Sequence, residues 1–308
     1  MSSKGSPFAL ALALAAGGCR GGDAAPPPVW LGEAGAARVL AVTPGGAARV
    51  AAQGPALDTP VRALTALRGG AVLALQEPDA GAPPGVILSP MGERLAALDA
   101  VDGGGVALFD AGTRPWAAAE AKDGRIWVTG GARPVLYQAS GAFAGFAAAL
   151  PARTLGVAAL PDGRMLVTWG AHDAAAYAAD GSSFELLAVD VAAGFVTPDP
   201  YFGLDALAAR PDGTVVVAAL RWGTATEGVL VHAAVTAGRL ASIDDPELSA
   251  RFPTLPSAIL LACDGVVAAP SLGTLFAPAC AERVSPDLRS RLGCLLAGAH
   301  HGVTRPGG

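Results

Sequence analysis

Asparagine is absent from this 308-residue chain, and lysine occurs only at Lys4 and Lys122. Charged residues make up 15% of it, aromatic residues 6%, and no long apolar run follows the N-terminal segment. These shortages exclude several functions. An acidic chain of net charge −5 with scattered arginines lacks the clustered basic surface that displaces counterions from phosphates, so nucleic acid is not an expected partner. A membrane span needs ~18 consecutive apolar residues, and the mature part has no such run, so the domain is expected to be soluble. No GxSxG, HExxH or phosphate-loop pattern is present, and no CxxC or Cys/His spacing marks a structural zinc site. The chain does hold abundant alanine and arginine, 41 glycines and 25 prolines, the composition of a GC-rich genome. At 52% hydrophobic it has ample material for a core, which excludes disorder of the whole chain.

Residues 1–19, MSSKGSPFALALALAAGGC, carry an early cation at Lys4, an apolar run from Pro7 to Ala16, and small residues leading into Cys19. This is the pattern of a signal peptide. The small residues before Cys19 resemble a bacterial lipobox, which implies cleavage at Cys19 and its lipidation. Ala16 stands where a strong lipobox has leucine, and cleavage after Ala13-Leu14-Ala15 would instead release a soluble secreted or periplasmic protein. An uncleaved anchor is the third alternative, and all three place the domain outside the cytoplasm. Arg20 follows the cysteine where an inner-membrane retention signal has aspartate, so the resemblance implies an outer-membrane or surface lipoprotein. Residues 20–28, RGGDAAPPP, read as a Gly/Pro-rich tether, with the folded domain at 29–308.

Glycine-centred turns recur between short apolar segments. ALTALRGGAVLALQ at 63–76, AAAEAKDGRIWVTG at 117–130, GVAALPDGRMLVTW at 156–169, ALAARPDGTVVVAA at 206–219 and AILLACDGVVAAPS at 258–271 each read as a hairpin with a two-residue primed turn. A second hairpin follows each one, at 85–98, 134–147, 175–188, 228–243 and 274–284. Two hairpins make a four-stranded unit, and Gly70, Gly124, Gly163, Gly213 and Gly265 advance at the spacing of propeller blades. The fold class is therefore all-β, a single β-propeller of six four-stranded blades. Its closing blade is split between a front hairpin at 37–52 and the tail at 292–303, which removes exposed edges. Seven blades is the alternative, because VDGGGVALFDAG at 101–112 has no place in the six. DPELSARF at 245–252 reads as a short helix on a connection.

The Pro-Asp-Gly and Lys-Asp-Gly hairpins followed by β-branched or Trp residues, EAKDGRIWVTGG at 120–131 above all, resemble NHL-type and streptogramin-lyase-like propeller repeats. The resemblance implies the architecture of residues 29–303. Related lactonase and esterase propellers hold a metal with Asn together with Asp or Glu, and this chain has no Asn. Calcium held by Asp, Glu and carbonyl oxygens stays chemically compatible, but no metal ligand is named. The lyase-like relatives use histidines, which makes His172 and His232 weak functional candidates here. The plain alternatives are a solvent-facing loop histidine for His172 and a packed strand histidine for His232. His300 and His301 are adjacent, point to opposite faces of a strand, and are not suited to chelating one metal.

Cys263, Cys280 and Cys294 remain after Cys19, an odd number for an oxidising compartment. Cys263–Cys280 is the preferred disulfide, since both positions fall at turns on one side of one blade; three small buried thiols are the alternative. Asp79, Asp162, Asp180 and Asp212 lie in turn-like sequences and are expected to cap backbone. Trp30, Trp116, Trp127, Trp169 and Trp222 are expected to pack between blades. No catalytic residue emerges. The leading expectation is a monomeric, non-catalytic envelope module that binds a protein or surface polymer and meets the membrane only through its lipid. The alternatives are a metal-dependent lactonase, esterase or lyase, and a small-ligand or glycan sensor.

Overall fold

A computed structural model describes residues 29–33, 36–42, 48–79, 81–110, 112–169, 173–190, 204, 206–209, 213–221, 227–243, 250–252, 256–262, 265–270 and 300–304. Cys19, His172, Cys263, Cys280 and Cys294 lie outside the described residues.

The first sheet contains β1 (Val29–Glu33), β2 (Arg38–Val42) and β3 (Ala48–Gln53), with β23 (His300–Thr304) on the free side of β1, in the order β23-β1-β2-β3. The second is a meander of β4 (Val61–Ala66), β5 (Val72–Gln76), β6 (Gly85–Leu88) and β7 (Arg94–Ala97). The third comprises β8 (Ala118–Glu120), β9 (Ile126–Val128), β10 (Val135–Tyr137) and β11 (Phe143–Phe146). The fourth comprises β12 (Thr154–Ala159), β13 (Met165–Trp169), β14 (Asp173–Tyr177) and β15 (Phe184–Asp190). The fifth comprises β16 (Ala206–Ala209), β17 (Thr214–Arg221), β18 (Glu227–Thr236) and β19 (Arg239–Ser242), and β19 pairs in parallel with β15 of the fourth. The hairpin of β21 (Pro256–Ala262) and β22 (Gly265–Pro270) follows. The innermost strands β4, β8, β12, β16, β21 and β23 neighbour one another in a circuit that closes where β23 meets β4.

The closing sheet is split between N- and C-terminal segments, as expected, but not with two strands from each. Three strands come from the front and one from the tail, because Val29–Glu33 already forms a strand that pairs with both β2 and β23. The turns differ as well. Ala121 N donates to Arg125 O (2.8 Å), Gly124 N donates to Ala121 O (2.9 Å), and Gly124 has φ +90°. The loop therefore has three residues, with a turn at Lys122-Asp123 and only Gly124 left-handed, whereas a primed turn needs positive φ earlier. The same pairing recurs around Gly70, Gly163, Gly92 and Gly141.

Residues 245–252 contain a strand rather than the expected helix over their described part: β20 (Ala250–Phe252) pairs with the first half of β18, whose second half pairs with β19. Residues 101–110 form a loop. Asp102 Oδ1 accepts from the amides of Gly104 (2.8 Å) and Val106 (2.9 Å), one bridge links Val101 and Ala107, and Leu108 and Phe109 are buried between the second and third sheets.

Apolar clusters fill the spaces between consecutive sheets, and alternate residues of one strand serve two of them. Val72 and Ala74 of β5 face the first sheet, and Leu73 and Leu75 face the third. Trp127 of β9 packs toward the fourth sheet with Met165 and Tyr177, whereas Ile126 and Val128 pack toward the second. This two-sided burial explains why β5, β9 and β13 are buried at every position and mostly apolar instead of alternating. Burial of each such side chain contributes about 1.5–3 kcal/mol. Hydroxyls tie the sheets further: Thr65 Oγ1 donates to Ala118 O (2.9 Å), Tyr137 to Asp99 O (3.2 Å), Tyr177 to Ala148 O (2.8 Å), Thr168 Oγ1 to Leu204 O (2.5 Å), and Thr129 Oγ1 to Leu155 O.

Backbone contacts do the same. The amides of Asp99, Ala148 and Ala188 donate to the carbonyls of Gly141, Gly181 and Gly238 in the next sheet's outer turn. These turns sit so close that a Cβ at Gly92 would lie 1.7 Å from Ala51 O, and one at Gly141 would lie 2.3 Å from Ala97 O.

Gly92→Ala combines left-handed strain with this clash and should cost about 3 kcal/mol or more; Gly124→Ala, with open space around it, should cost only about 1 kcal/mol. Urea midpoints of the two variants check the difference. Burial pushes the Tyr137 and Tyr177 hydroxyls well above their usual pKa of 10.0. The folded state thus binds these protons more tightly than the unfolded one, so stability should fall as pH rises above 10.0. That slope should shrink in the double variant Tyr137→Phe, Tyr177→Phe, measured by denaturation at pH 9 to 11, a window set by the ordinary tyrosine pKa of about 10.

Candidate functional site

At the end of the ring where the inner strands begin, three neighbouring sheets deliver one aromatic and several charged groups to one place. Arg62 enters with β4, Trp116 stands two residues before β8, and Arg153 directly precedes β12. Arg62 Cζ lies 4.3 Å from the centre of the Trp116 ring and Arg153 Cζ lies 4.7 Å from it. Guanidinium groups stack on an indole through cation–π attraction. Glu77, just beyond β5, accepts from Arg62 Nη1 at 2.9 Å, and Arg114 Nη1 lies 3.7 Å from its other oxygen. Arg153 Nη2 donates to Arg114 O at 3.5 Å. Beneath it, the fully buried Gln76 and Thr154 side chains hold the backbone: Gln76 Nε2 donates to Thr59 O (2.8 Å), and Thr154 Oγ1 bridges Gly130 N (3.1 Å) and Gly131 O (2.7 Å). The Arg62 side chain is 13% exposed and that of Glu77 30%, so the ion pair is largely shielded from water.

The opposite end carries a groove of about 200 Å³ between the second and third sheets, lined by Leu67, Arg68, Ala71, Ile87, Glu120 and Ile126 among others. Its polar groups are engaged across the sheets. Arg68 Nε lies 3.0 Å from Glu120 Oε1, and the Arg68 guanidinium also donates to the Lys122 (2.7 Å) and Ala121 carbonyls.

His232 sits on β18 opposite Val216 of β17, in the third strand from the ring, and is 8% exposed. His300 and His301 open β23 opposite Glu33 and Gly32. Trp30, Trp127 and Trp169 are buried in the inter-sheet clusters, as expected of packing residues; Trp116 alone among the described tryptophans belongs to the charged rim. Asp162 and Asp180 cap their turns, accepting the amides of Arg164 (3.0 Å) and Ser182 (3.0 Å). Burial works against ionising Asp162, yet the Arg164 amide and side chain hold its carboxyl below the usual carboxylate range; the Ser182 amide and hydroxyl do the same for Asp180.

The rim residues Arg62, Glu77, Arg114 and Arg153 escaped the sequence reading. A usable signal existed in the repeat, since Arg62 and Trp116 occupy the same position relative to their turn glycines Gly70 and Gly124.

Solved structures share the fold of this chain. A regucalcin from Agrobacterium tumefaciens, described as a calcium-binding protein, superposes with a TM-score of 0.51 at 15% identity over 86% of this chain and 87% of that one. The fold is a β-propeller. A gluconolactonase from Xanthomonas campestris gives 0.49 at 15% identity over 80% and 84% of the two chains, and virginiamycin B lyase from Staphylococcus aureus gives 0.48 at 14% over 73% and 67%. At such identities the likeness concerns the fold of the propeller. No family model matches the chain, and no curated protein matches its sequence.

The calcium of the regucalcin-like propeller prompts a test of fit. Ca²⁺ needs six to eight oxygen ligands with several carboxylates. Among the described residues no three His, Cys, Asp or Glu side chains gather in a way that could hold a metal. At the rim, the carboxylate of Glu77 faces Arg62 and Arg114, whose charge opposes a cation. The described rim does not fit calcium.

Glu77→Gln removes the shared carboxylate from two guanidinia and should destabilise the protein by about 1–3 kcal/mol in urea unfolding. Arg94→Gln, at the more exposed Asp58 pair, should change stability by less than about 1 kcal/mol.

Proposed function

We propose that this propeller is an exported, lipid-anchored binding module of the cell envelope, monomeric and built of six blades, which engages a protein or surface polymer through the face where its inner strands begin. The observation that carries this reading is the rim itself: Arg62 and Arg153 stacked on Trp116 beside Glu77. Arginine and tryptophan are the residue types that dominate binding energies at recognition surfaces, because they combine large contact area with directional donors. Loops positioned by a rigid scaffold are where propellers of many functions place their contacts. Lipidation of Cys19 would tether the domain through residues 20–28. The second reading is a metal-dependent lactonase, esterase or lyase, and it draws on the calcium-binding, lactonase and lyase neighbours.

Metal content of the purified protein, measured by mass spectrometry before and after chelation together with thermal stability, separates the two. A metal-free, chelator-indifferent protein is expected; a stoichiometric divalent ion whose removal lowers the melting temperature would transfer the reading to the enzyme. Localisation has its own check. Cys19→Ser should leave the protein soluble or unprocessed, and unchanged membrane fractionation of that variant would remove the lipid anchor from the proposal.

A further inference from the structure

We infer that the end of the ring where the inner strands finish rests on the bilayer that holds the Cys19 lipid, with Val50, Met91 and Leu95 entering its interface. The inference rests on the lipid-anchor reading above and adds a second contact to the lipid, through which alone the sequence has the domain meet the membrane.

Strand directions fix which end this is. β23 is an inner strand, and Trp30, near the start of β1, pairs with Thr304 at the finish of β23. The chain therefore enters the fold where the inner strands finish, at the end opposite the rim of Trp116. Residues 20–28 separate Cys19 from β1. Such a span reaches about 35 Å at full extension. A compact domain of this length is roughly 50 Å across, so a lipid on Cys19 holds this end, and not the rim, next to the bilayer.

The same end carries exposed apolar side chains. β2 is antiparallel to β1 and β3 to β2, so β3 starts here, with Arg49 exposed and Val50 41% exposed. β6 runs in the direction of β4, which brings the β6–β7 turn to this end as well. Met91 in that turn is 72% exposed, more than any other large apolar side chain among the described residues. The turn seats Gly92 against Ala51 O, so Met91 and Val50 stand beside one contact between the first and second sheets. Leu95, 60% exposed, extends the apolar surface into the groove that it lines with Leu67, Ala71 and Ile87. Apolar side chains scattered singly need no explanation, but a group spanning two sheets at the point where the chain enters does. Exposed Arg49, Arg68 and Lys122 at this end suit the headgroups of an anionic bilayer. Exposed Glu93 and Asp123 oppose part of that attraction, so the apolar side chains carry the contact.

The test places the full lipidated chain on vesicles of phosphatidylethanolamine and phosphatidylglycerol, with and without brominated acyl chains, and reads tryptophan fluorescence. The emission added by Met91→Trp should fall about twofold on brominated lipid. The emission added by Ala132→Trp, an exposed site in the β9–β10 loop at the rim end, should not change. A second readout uses the unsubstituted chain. Met91 is exposed and Met165 is fully buried, so hydrogen peroxide should oxidise Met91 selectively in the soluble Cys19→Ser form. Attachment to vesicles should slow that oxidation about fivefold, as followed by mass spectrometry. Equal quenching at the two sites, no quenching at either, or Met91 oxidation as fast on vesicles as in solution would overturn the membrane-facing end. With the chain floating on the vesicles, any of these results leaves the lipid anchor standing; a chain that carries no lipid and does not float overturns both.

Discussion

Each sheet of this protein has two apolar faces and cannot bury either of them alone. The whole structure depends on consecutive sheets covering each other and on the circuit of inner strands closing so that no sheet is left with a bare face. Side chains of β5, β9 and β13 that alternate between two clusters show the constraint at its plainest: a residue on one strand is core to the sheet before it, and the next residue is core to the sheet after it. Hydroxyl and amide ties repeat from one interface to the next, Thr65 to Ala118, Tyr137 to Asp99, Tyr177 to Ala148 and Thr168 to Leu204. Buried hydroxyls must find acceptors, and the neighbouring sheet's carbonyls supply them.

The rim is a by-product of the same geometry. Inner strands that begin together must place their first side chains together, so residues far apart in the chain meet where the sheets converge. Arg62 and Arg153 reach one tryptophan without any local motif, because the ring rather than the sequence spacing makes them neighbours. Glu77 joins them since β5 runs antiparallel to β4, which sets Gln76 opposite Val61 at the same end.

The hairpins were legible in the sequence because their signal is local: a glycine that must adopt positive φ, flanked by apolar segments long enough for a strand. The turn type was misread, since Asp-Gly serves a two-residue primed turn and the last two positions of a three-residue loop equally well, and only the Ala121–Arg125 pairing separates them. The role of Asp162 and Asp180 as caps could be read from the residue type and its place before glycine. The close approach of Gly92 to Ala51 O could not, because nothing local distinguishes a turn glycine in open solvent from one pressed against the next sheet. The charged rim was hidden for the related reason that its members belong to different repeats.

The pairing of β23 with β1 sets an order of events. Hairpins form between neighbouring segments, yet the partner of β1 is β23, far along the chain, so the ring stays an open arc until β23 is available. Such distant pairing is slow to form, and until then both ends of the arc present unpaired strand edges. The five residues of β23 thus act as a latch: losing them would leave most of the hairpins intact and the ring unclosed.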